Sequence, residues 1–206
     1  MSAQLQLKTW TEQEYWDYEE KSPVKHEFIN GQLYAMAGGT SDHADICLNI
    51  ASAAKARLRG KPCKAVTSEL KVKVEATGDS FYPDATIHCP PARYEGKGNH
   101  TLLTPSVIFE VLSPKTKAFD REGKLLFYQQ IETLTDYVLV DAERIFVEHW
   151  SRTSPDEDWR WRAYTKREEV LLFPHLELEL PLEEIYEELE MIEDWVAVQM
   201  ARAEEN

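Results

Sequence analysis

From Pro105 to Pro114 the chain reads PSVIFEVLSP, an apolar run of strand length with a proline at each end and one carboxylate in its middle. Alternation along a strand turns Val107, Phe109 and Val111 to one side and Ile108, Glu110 and Leu112 to the other. A glutamate between isoleucine and leucine must be paired, hydrogen-bonded or metal-bound once buried, because a bare carboxylate there is very costly. Asp84, in FYPDATIHC, raises the same question. Pro83 before it is tolerated at an edge, a bulge or a strand start, where a side chain can be aimed out of the regular ladder. Two adjacent strands with a carboxylate near matching ends make a candidate Mg²⁺ site, since hard divalent cations take oxygen ligands. The alternatives are that Asp84 is a turn residue and that Glu110 pairs with Lys71 or Lys73, which alternate on their own strand.

The surrounding segments indicate one α/β domain on a mixed sheet. Thr11 and Glu14 form a capping-box pattern, which predicts a short helix near residues 12–19. HEFINGQLYA reads as two strands joined at Asn30-Gly31. The clearest helix follows, capped by Thr40 or Ser41, with Ile46, Ile50, Ala54 and Leu58 on one face and Gly60 to end it. Strand-like runs then lead through CKAVTSELKVKVEATG and DSFYPDATIHCPP to the segment around Glu110. After it, helical spacing through Lys117, Arg121, Lys124 and Tyr128 is weakened by Gly123. TDYVLVDAERIFVEHWSR reads as a hairpin, and DWRWRAYTKREEVLLFP as one or two strands. Residues 177–206 read as an acidic amphipathic helix with Leu182, Ile185, Leu189, Ile192 and Val196 on its apolar side.

Charge limits what such a chain can bind. The formal net charge is −14, which argues against a protein coated in positive potential for nucleic acid. Residues 177–206 hold 11 acidic residues and one arginine, a net of −10, so the rest carries only −4. No apolar stretch is long enough to cross a membrane, and the N-terminal residues show neither a basic leader nor an apolar core of a signal peptide. Cys47, Cys63 and Cys89 are widely spaced and match no disulfide or zinc framework, so a reducing, cytoplasmic compartment is expected.

Tyr82-Pro83-Asp84-Ala85, Phe109-Glu110-Val111-Leu112-Ser113-Pro114-Lys115-Thr116 and Phe119-Asp120-Arg121-Glu122-Gly123-Lys124 together resemble the Uma2 family of restriction-endonuclease-like proteins. KHEFINGQLYAMAGGTSDHADICLNI is similar to that family's N-terminal half, with Glu27, Gly31 and His43 in its characteristic positions. The likeness spans about residues 10–165. It implies the PD-(D/E)XK nuclease superfamily: a restriction-endonuclease-like core with flanking helices and an added antiparallel hairpin region. It also implies Mg²⁺ or Mn²⁺ bound by Asp84 and Glu110, and DNA as the substrate. Leu112 departs from the E-x-K pattern, and Lys124, fourteen residues after Glu110, is the candidate to replace the missing cation. Lys117 and Lys71 are its rivals.

Glu27 is either a third carboxylate at the metal or a surface acid, and His43 in the first turn of the long helix is either a carboxylate or phosphate contact or a structural or surface histidine. Asp120, Arg121 and Tyr128 are expected to line the same cleft. Lys115, Lys117, Arg121 and Lys124 cluster within ten residues and offer a local positive patch to a phosphate backbone. Trp159 and Trp161 alternate with Arg160 and Arg162, a pattern that serves either to cover a sheet or to stack bases. His26, His88, His100, His149 and His175 have no partner spacing that suggests ligands. A homodimer would pair two sites on two strands, and the apolar face of the C-terminal helix could bury itself in one, although packing on its own sheet explains that face equally well. The alternative to an enzyme is a nuclease-fold domain that binds nucleic acid or protein without cutting, which Leu112 and the acidic charge both favour.

Overall fold

The computed structural model describes residues 8–36, 38–96, 98–113 and 117–191. The chain opens with α1 (Glu12–Glu19), the hairpin β1 (His26–Ile29) and β2 (Gln32–Ala35), and the long helix α2 (Ser41–Arg57). Thr11 and Glu14 form the expected reciprocal cap of α1. Asn30 and Gly31 both have positive φ, 49° and 74°, as a two-residue turn matched to strand twist requires. Thr40 caps α2, its hydroxyl accepting the His43 N–H.

Short strands follow: β3 (Lys64–Thr67), β4 (Lys71–Lys73), β5 (Ser80–Phe81), β6 (Ala85–His88), β7 (Tyr94–Glu95), β8 (Thr101–Leu102) and β9 (Val107–Leu112). A π-helical turn (Phe119–Lys124) runs directly into α3 (Leu125–Tyr128). Then come β10 (Asp136–Asp141), β11 (Val147–Ser151), β12 (Arg160–Tyr164), β13 (Val170–Phe173), β14 (Leu178–Pro181) and α4 (Leu182–Ile185).

One six-stranded sheet has the order β12-β11-β10-β9-β6-β3, and a second has the order β2-β1-β5-β4-β8-β7. Only β9 and β10 run parallel in the first sheet. A parallel pair needs a crossover, and the π-helical turn with α3 provides it.

The two faces of β9 enter different cores, as its alternation required. Val107, Phe109 and Val111 pack with Ile46, Ile50 and Ala54 of α2. Ile108 and Leu112 pack with Val72 and Phe81 of the second sheet and with Leu125 and Tyr128 of the crossover. Glu110 therefore points into the layer between the two sheets, beneath the crossover helix.

The C-terminal expectation needs correction. Within the described residues the acidic helix is one turn, α4, and Glu188 adopts a left-handed φ of 60°. Leu178 and Leu180 instead join the β13–β14 hairpin, and Leu182 and Ile185 are fully buried. The carbonyls that a longer helix would have used accept from side chains: Arg167 donates to Tyr186 and Leu189, and Asn49 to Ile185 and Glu187. Ile192 and Val196 lie outside the described residues.

The cysteine reading needs correction as well. Cys63 and Cys89 are disulfide-bonded across β3 and β6. The register Lys64↔His88 places the two one step further along the same ladder, with Cα atoms 4.2 Å apart. Linear spacing could not show a pair that strand pairing creates, and the argument for a reducing compartment from cysteine usage falls with it. No helix among the described residues is long and apolar enough to cross a membrane.

Candidate active site

Asp84 sits where the β6 ladder ends. The last ladder pair is Ala85↔Phe109, so the next row would place Asp84 opposite Glu110. Pro83 has no N–H to continue the ladder. The Asp84 carboxylate takes over as partner, its Oδ2 accepting the Val111 N–H at 2.7 Å. The Pro-Asp pair thus ends a strand and turns a carboxylate toward the neighbouring glutamate.

Glu110 is 4% exposed and Lys124 6%. Lys124 Nζ lies 3.0 Å from Glu110 Oε1, 3.0 Å from Glu27 Oε1 and 3.2 Å from Asp120 Oδ1. Tyr128 donates its hydroxyl to the same Glu110 oxygen at 3.0 Å. Tyr137 donates to the Asp120 carbonyl at 2.8 Å, which ties the π-helical turn to β10. The crossover therefore faces Glu110 with Asp120, Lys124 and Tyr128, four residues apart in each step.

Helical turns wider than the α-helix recur at functional sites. Here the wide turn lets both Asp120 and Lys124 be buried over the sheet. The face expected from sequence combined Lys117 and Arg121 with Lys124 and Tyr128. The structure separates them, because the π-turn changes the angular step between residues.

Three carboxylates, Glu27, Glu110 and Asp120, surround one ammonium, and Asp84 adds a fourth negative charge near Glu110. Burial, and then Asp120, Asp84 and Glu27, push the Glu110 carboxyl well above the usual carboxylate range against the pull of Lys124. Lys124, facing three carboxylates, stays protonated well beyond the usual lysine range despite its burial. The carboxylates offer the oxygen donors that a hard divalent cation takes, while among the described residues the group whose ligand atoms lie within 4.8 Å of one another is His43, Cys47 and Asp84.

His43 Nε2 is 3.6 Å from Asp84 Oδ2. Hydrogen bonding to Asp84 raises its pKa, although burial works the other way. Cys47 Sγ lies 3.5 Å from His43 Nδ1. Cys47 had no place in the sequence-based site. Its spacing of four residues from His43 on one helix was the available signal.

Other candidates lie elsewhere. The Lys71 ammonium stands over Trp16 and Tyr15, 4.1 and 4.5 Å from the ring centroids, and not beside Glu110. Lys73 pairs with Glu12 and Glu95, so neither lysine neutralises Glu110. The Arg121 guanidinium is bound to Glu148. Lys117 is half-buried and forms no ion pair with the site carboxylates among the described residues. Lys115 lies outside the described residues. The basic patch expected here is therefore reduced, since Lys124 and Arg121 spend their charges inside the protein. His26 and His149 pair with Glu19 and Asp136, as structural histidines do. Trp159 packs on the second core, whereas Trp161 is 52% exposed.

A mixed sheet with a Pro-Asp strand end, a buried glutamate on the next strand and a helix-borne lysine defines a restriction-endonuclease-like α/β protein. The chain belongs to the Uma2 family, described as "Putative restriction endonuclease", whose model matches residues 12–183. It is 33% identical over 147 residues to "Uncharacterized protein slr1290" of Synechocystis sp., covering 71% of this chain and 76% of that protein. A second Synechocystis relative, "Uncharacterized protein sll1609", is 28% identical over 152 residues, covering 74% of this chain and 85% of that protein. Among solved structures, the crystal structure of "a putative nuclease belonging to DUF820" from Anabaena variabilis superposes with a TM-score of 0.66 at 18% identity. That match covers 85% of this chain and 96% of the other and speaks to the fold.

Proposed function

We propose that the chain is a divalent-metal-dependent endonuclease that hydrolyses phosphodiester bonds in DNA. The observation that carries this reading is the convergence of Lys124 on Glu27, Glu110 and Asp120 within 3.0–3.2 Å. The E-x-K pattern lacks its lysine in this chain, because Leu112 belongs to the apolar core. An ammonium nonetheless reaches Glu110 from the crossover helix. The acid-and-lysine set that the family resemblance implies is thereby assembled from a different element.

Asp84 and Glu110, with Glu27 as a third oxygen donor, would hold Mg²⁺ or Mn²⁺. A bound ion would supply Lewis-acid polarisation of a phosphate oxygen and lower the pKa of an attacking water. Tyr128 fixes the Glu110 carboxylate by donating to it. Lys124 would orient the attacking water or offset negative charge developing on phosphorus. His43, 3.6 Å from Asp84, would hold that carboxylate in place or contact a phosphate.

The test is Mn²⁺-dependent cleavage of DNA by the wild type, Asp84→Ala and Glu110→Ala, alongside calorimetric titration of each with Mn²⁺. Cleavage and Mn²⁺ binding should both be lost in the variants. Equal cutting by all three proteins would remove the assignment, since the activity would then be a contaminant's.

A further inference from the structure

Cys47 is a nucleophilic, metal-ligating group that the proposed hydrolysis does not use. Of the three cysteines it is the free one, since Cys63 and Cys89 are bonded to each other. Helix α2 carries it four residues after His43, so the two side chains share one face, one turn apart. Cys47 Sγ is 3.5 Å from one nitrogen of the His43 ring, and the other nitrogen is 3.6 Å from Asp84 Oδ2. With one nitrogen of His43 used, the donor atoms of His43, Cys47 and Asp84 all lie within 4.8 Å of one another.

Those separations approach the size of a coordination polyhedron. Zn–S bonds of about 2.3 Å and Zn–N and Zn–O bonds of about 2.0–2.2 Å, at tetrahedral angles, put neighbouring donors roughly 3.3–3.6 Å apart. The edge from His43 to Asp84 has that length already. The donor chemistry also differs from that of the neighbouring carboxylates. A sulfur, an imidazole nitrogen and one oxygen suit a borderline-soft ion, whereas an all-oxygen set suits Mg²⁺.

All three residues are half-buried. An ion can therefore reach them, and a fourth position stays open to solvent, as in sites with three protein ligands. Burial, and then Asp84, hold the Cys47 thiol above its ordinary pKa while no cation is near. A dication among the same negative charges reverses that preference, so the thiol loses its proton to solvent as the metal–sulfur bond forms.

We propose that His43, Cys47 and Asp84 form a site for a thiophilic divalent cation of the Zn²⁺ type, separate from the all-oxygen site but sharing Asp84 with it. Occupancy by such an ion takes Asp84 from the hydrolytic site and so opposes Mg²⁺ or Mn²⁺. That competition rests on the nuclease reading, whereas the binding itself does not.

Cobalt(II) serves as the spectroscopic stand-in for Zn²⁺, added to the intact chain in buffer without reductant so that Cys63 and Cys89 stay bonded. One equivalent should produce thiolate-to-cobalt charge-transfer absorption that Zn²⁺ then abolishes by displacement. Cys47→Ser should lose that absorption and bind Zn²⁺ at least ~10-fold more weakly by calorimetry, and His43→Gln should weaken Zn²⁺ binding similarly. Cys47→Ala, checked for fold by circular dichroism, makes the same comparison if the serine variant misfolds. The proposal is overturned if the wild type shows no charge-transfer band with stoichiometric Co²⁺, or if both Cys47 variants bind Zn²⁺ as tightly as the wild type. No nucleic acid enters the measurement. Loss of the nuclease reading would leave the Zn²⁺ result standing, and absence of Zn²⁺ binding would leave the nuclease reading intact.

Discussion

Lys124 Nζ lies 3.0 Å from Glu110 Oε1, although fourteen residues and a change of element separate them. Both side chains are almost out of solvent. On β9 the position two residues beyond Glu110 shares its face and could have carried the counter-charge, but Leu112 there completes the core between the sheets. The crossover helix, obliged by the parallel β9–β10 pair to pack over this face, brings the cation instead.

Replacing Lys124 should expose how much the cluster depends on one ammonium. Lys124→Met leaves Glu27, Glu110 and Asp120 facing one another without compensation. Breaking a buried pair in this way costs about 3–5 kcal/mol. Urea unfolding without divalent metal should show a loss of that order, and millimolar Mn²⁺ should recover part of it by supplying positive charge among the carboxylates. If the variant is as stable as the wild type in metal-free buffer, the ammonium is not what holds these acids together.

Gly123 should be intolerant for a reason opposite to the usual one. Glycine to alanine inside a helix ordinarily stabilises by about 0.5–1 kcal/mol. Here a Cβ on Gly123 would clash with the edge of the Phe119 ring, which packs across the π-helical turn. Gly123→Ala should therefore destabilise the chain and weaken Mn²⁺ binding, because Asp120 and Lys124 ride on the same turn. Phe119 is 41% exposed and its ring is not needed in either core, so Gly123→Ala with Phe119→Ala should regain most of the loss. Equal defects in the single and double variants would show that the ring is not the obstacle.

These two sites mark how far the amino-acid order could be read. The alternation of VIFEVL, the Asn30-Gly31 turn and the α2 stripe depend on local periodicity, and all three appear in the structure as expected. The Asp84–Glu110 juxtaposition also followed, since each residue ends or interrupts an apolar strand. The partners of the charges were harder. Lys117 and Arg121 were nearer in sequence to Glu110 than Lys124, but the width of the π-turn changes which cation turns inward, and Lys71 on β4 is taken up by Trp16 and Tyr15. The Cys63–Cys89 bond and the end of α4 at Ile185 within the described residues depend on ladder register and on Arg167 and Asn49 from distant segments, which no local pattern encodes.

The Cys63–Cys89 bond should contribute to stability through the loop that it closes. The two residues are 26 apart in sequence. Closing a loop of that length restrains the unfolded chain by about 3 kcal/mol. The Cys63→Ser, Cys89→Ser double variant should unfold at lower urea by a corresponding amount, with the same Mn²⁺ affinity, since the bond lies at the other end of β6 from Asp84. A double variant of unchanged stability would show that the bond closes nothing the unfolded chain was free to explore.

Lys71 provides a pH dependence of defined sign. Its ammonium is buried over Trp16 and Tyr15, and burial lowers its pKa from 10.5 to about 8. Below that value the folded and unfolded chains both carry the proton, and the cost of burying the charge is constant. Between the two values the unfolded chain binds a proton that the folded chain has released, so stability rises with pH. Lys71→Met removes this group while keeping a long side chain over the rings. The stability of the wild type relative to Lys71→Met should therefore be flat below pH 8 and climb toward pH 10.5, measured by urea unfolding across the range. Tyr15 and Tyr82, whose hydroxyls burial holds well above their usual range, are present in both proteins and cancel in the difference. Parallel curves for the two proteins would mean that Lys71 keeps an ordinary pKa, and that the rings stabilise its charge as fully as water does.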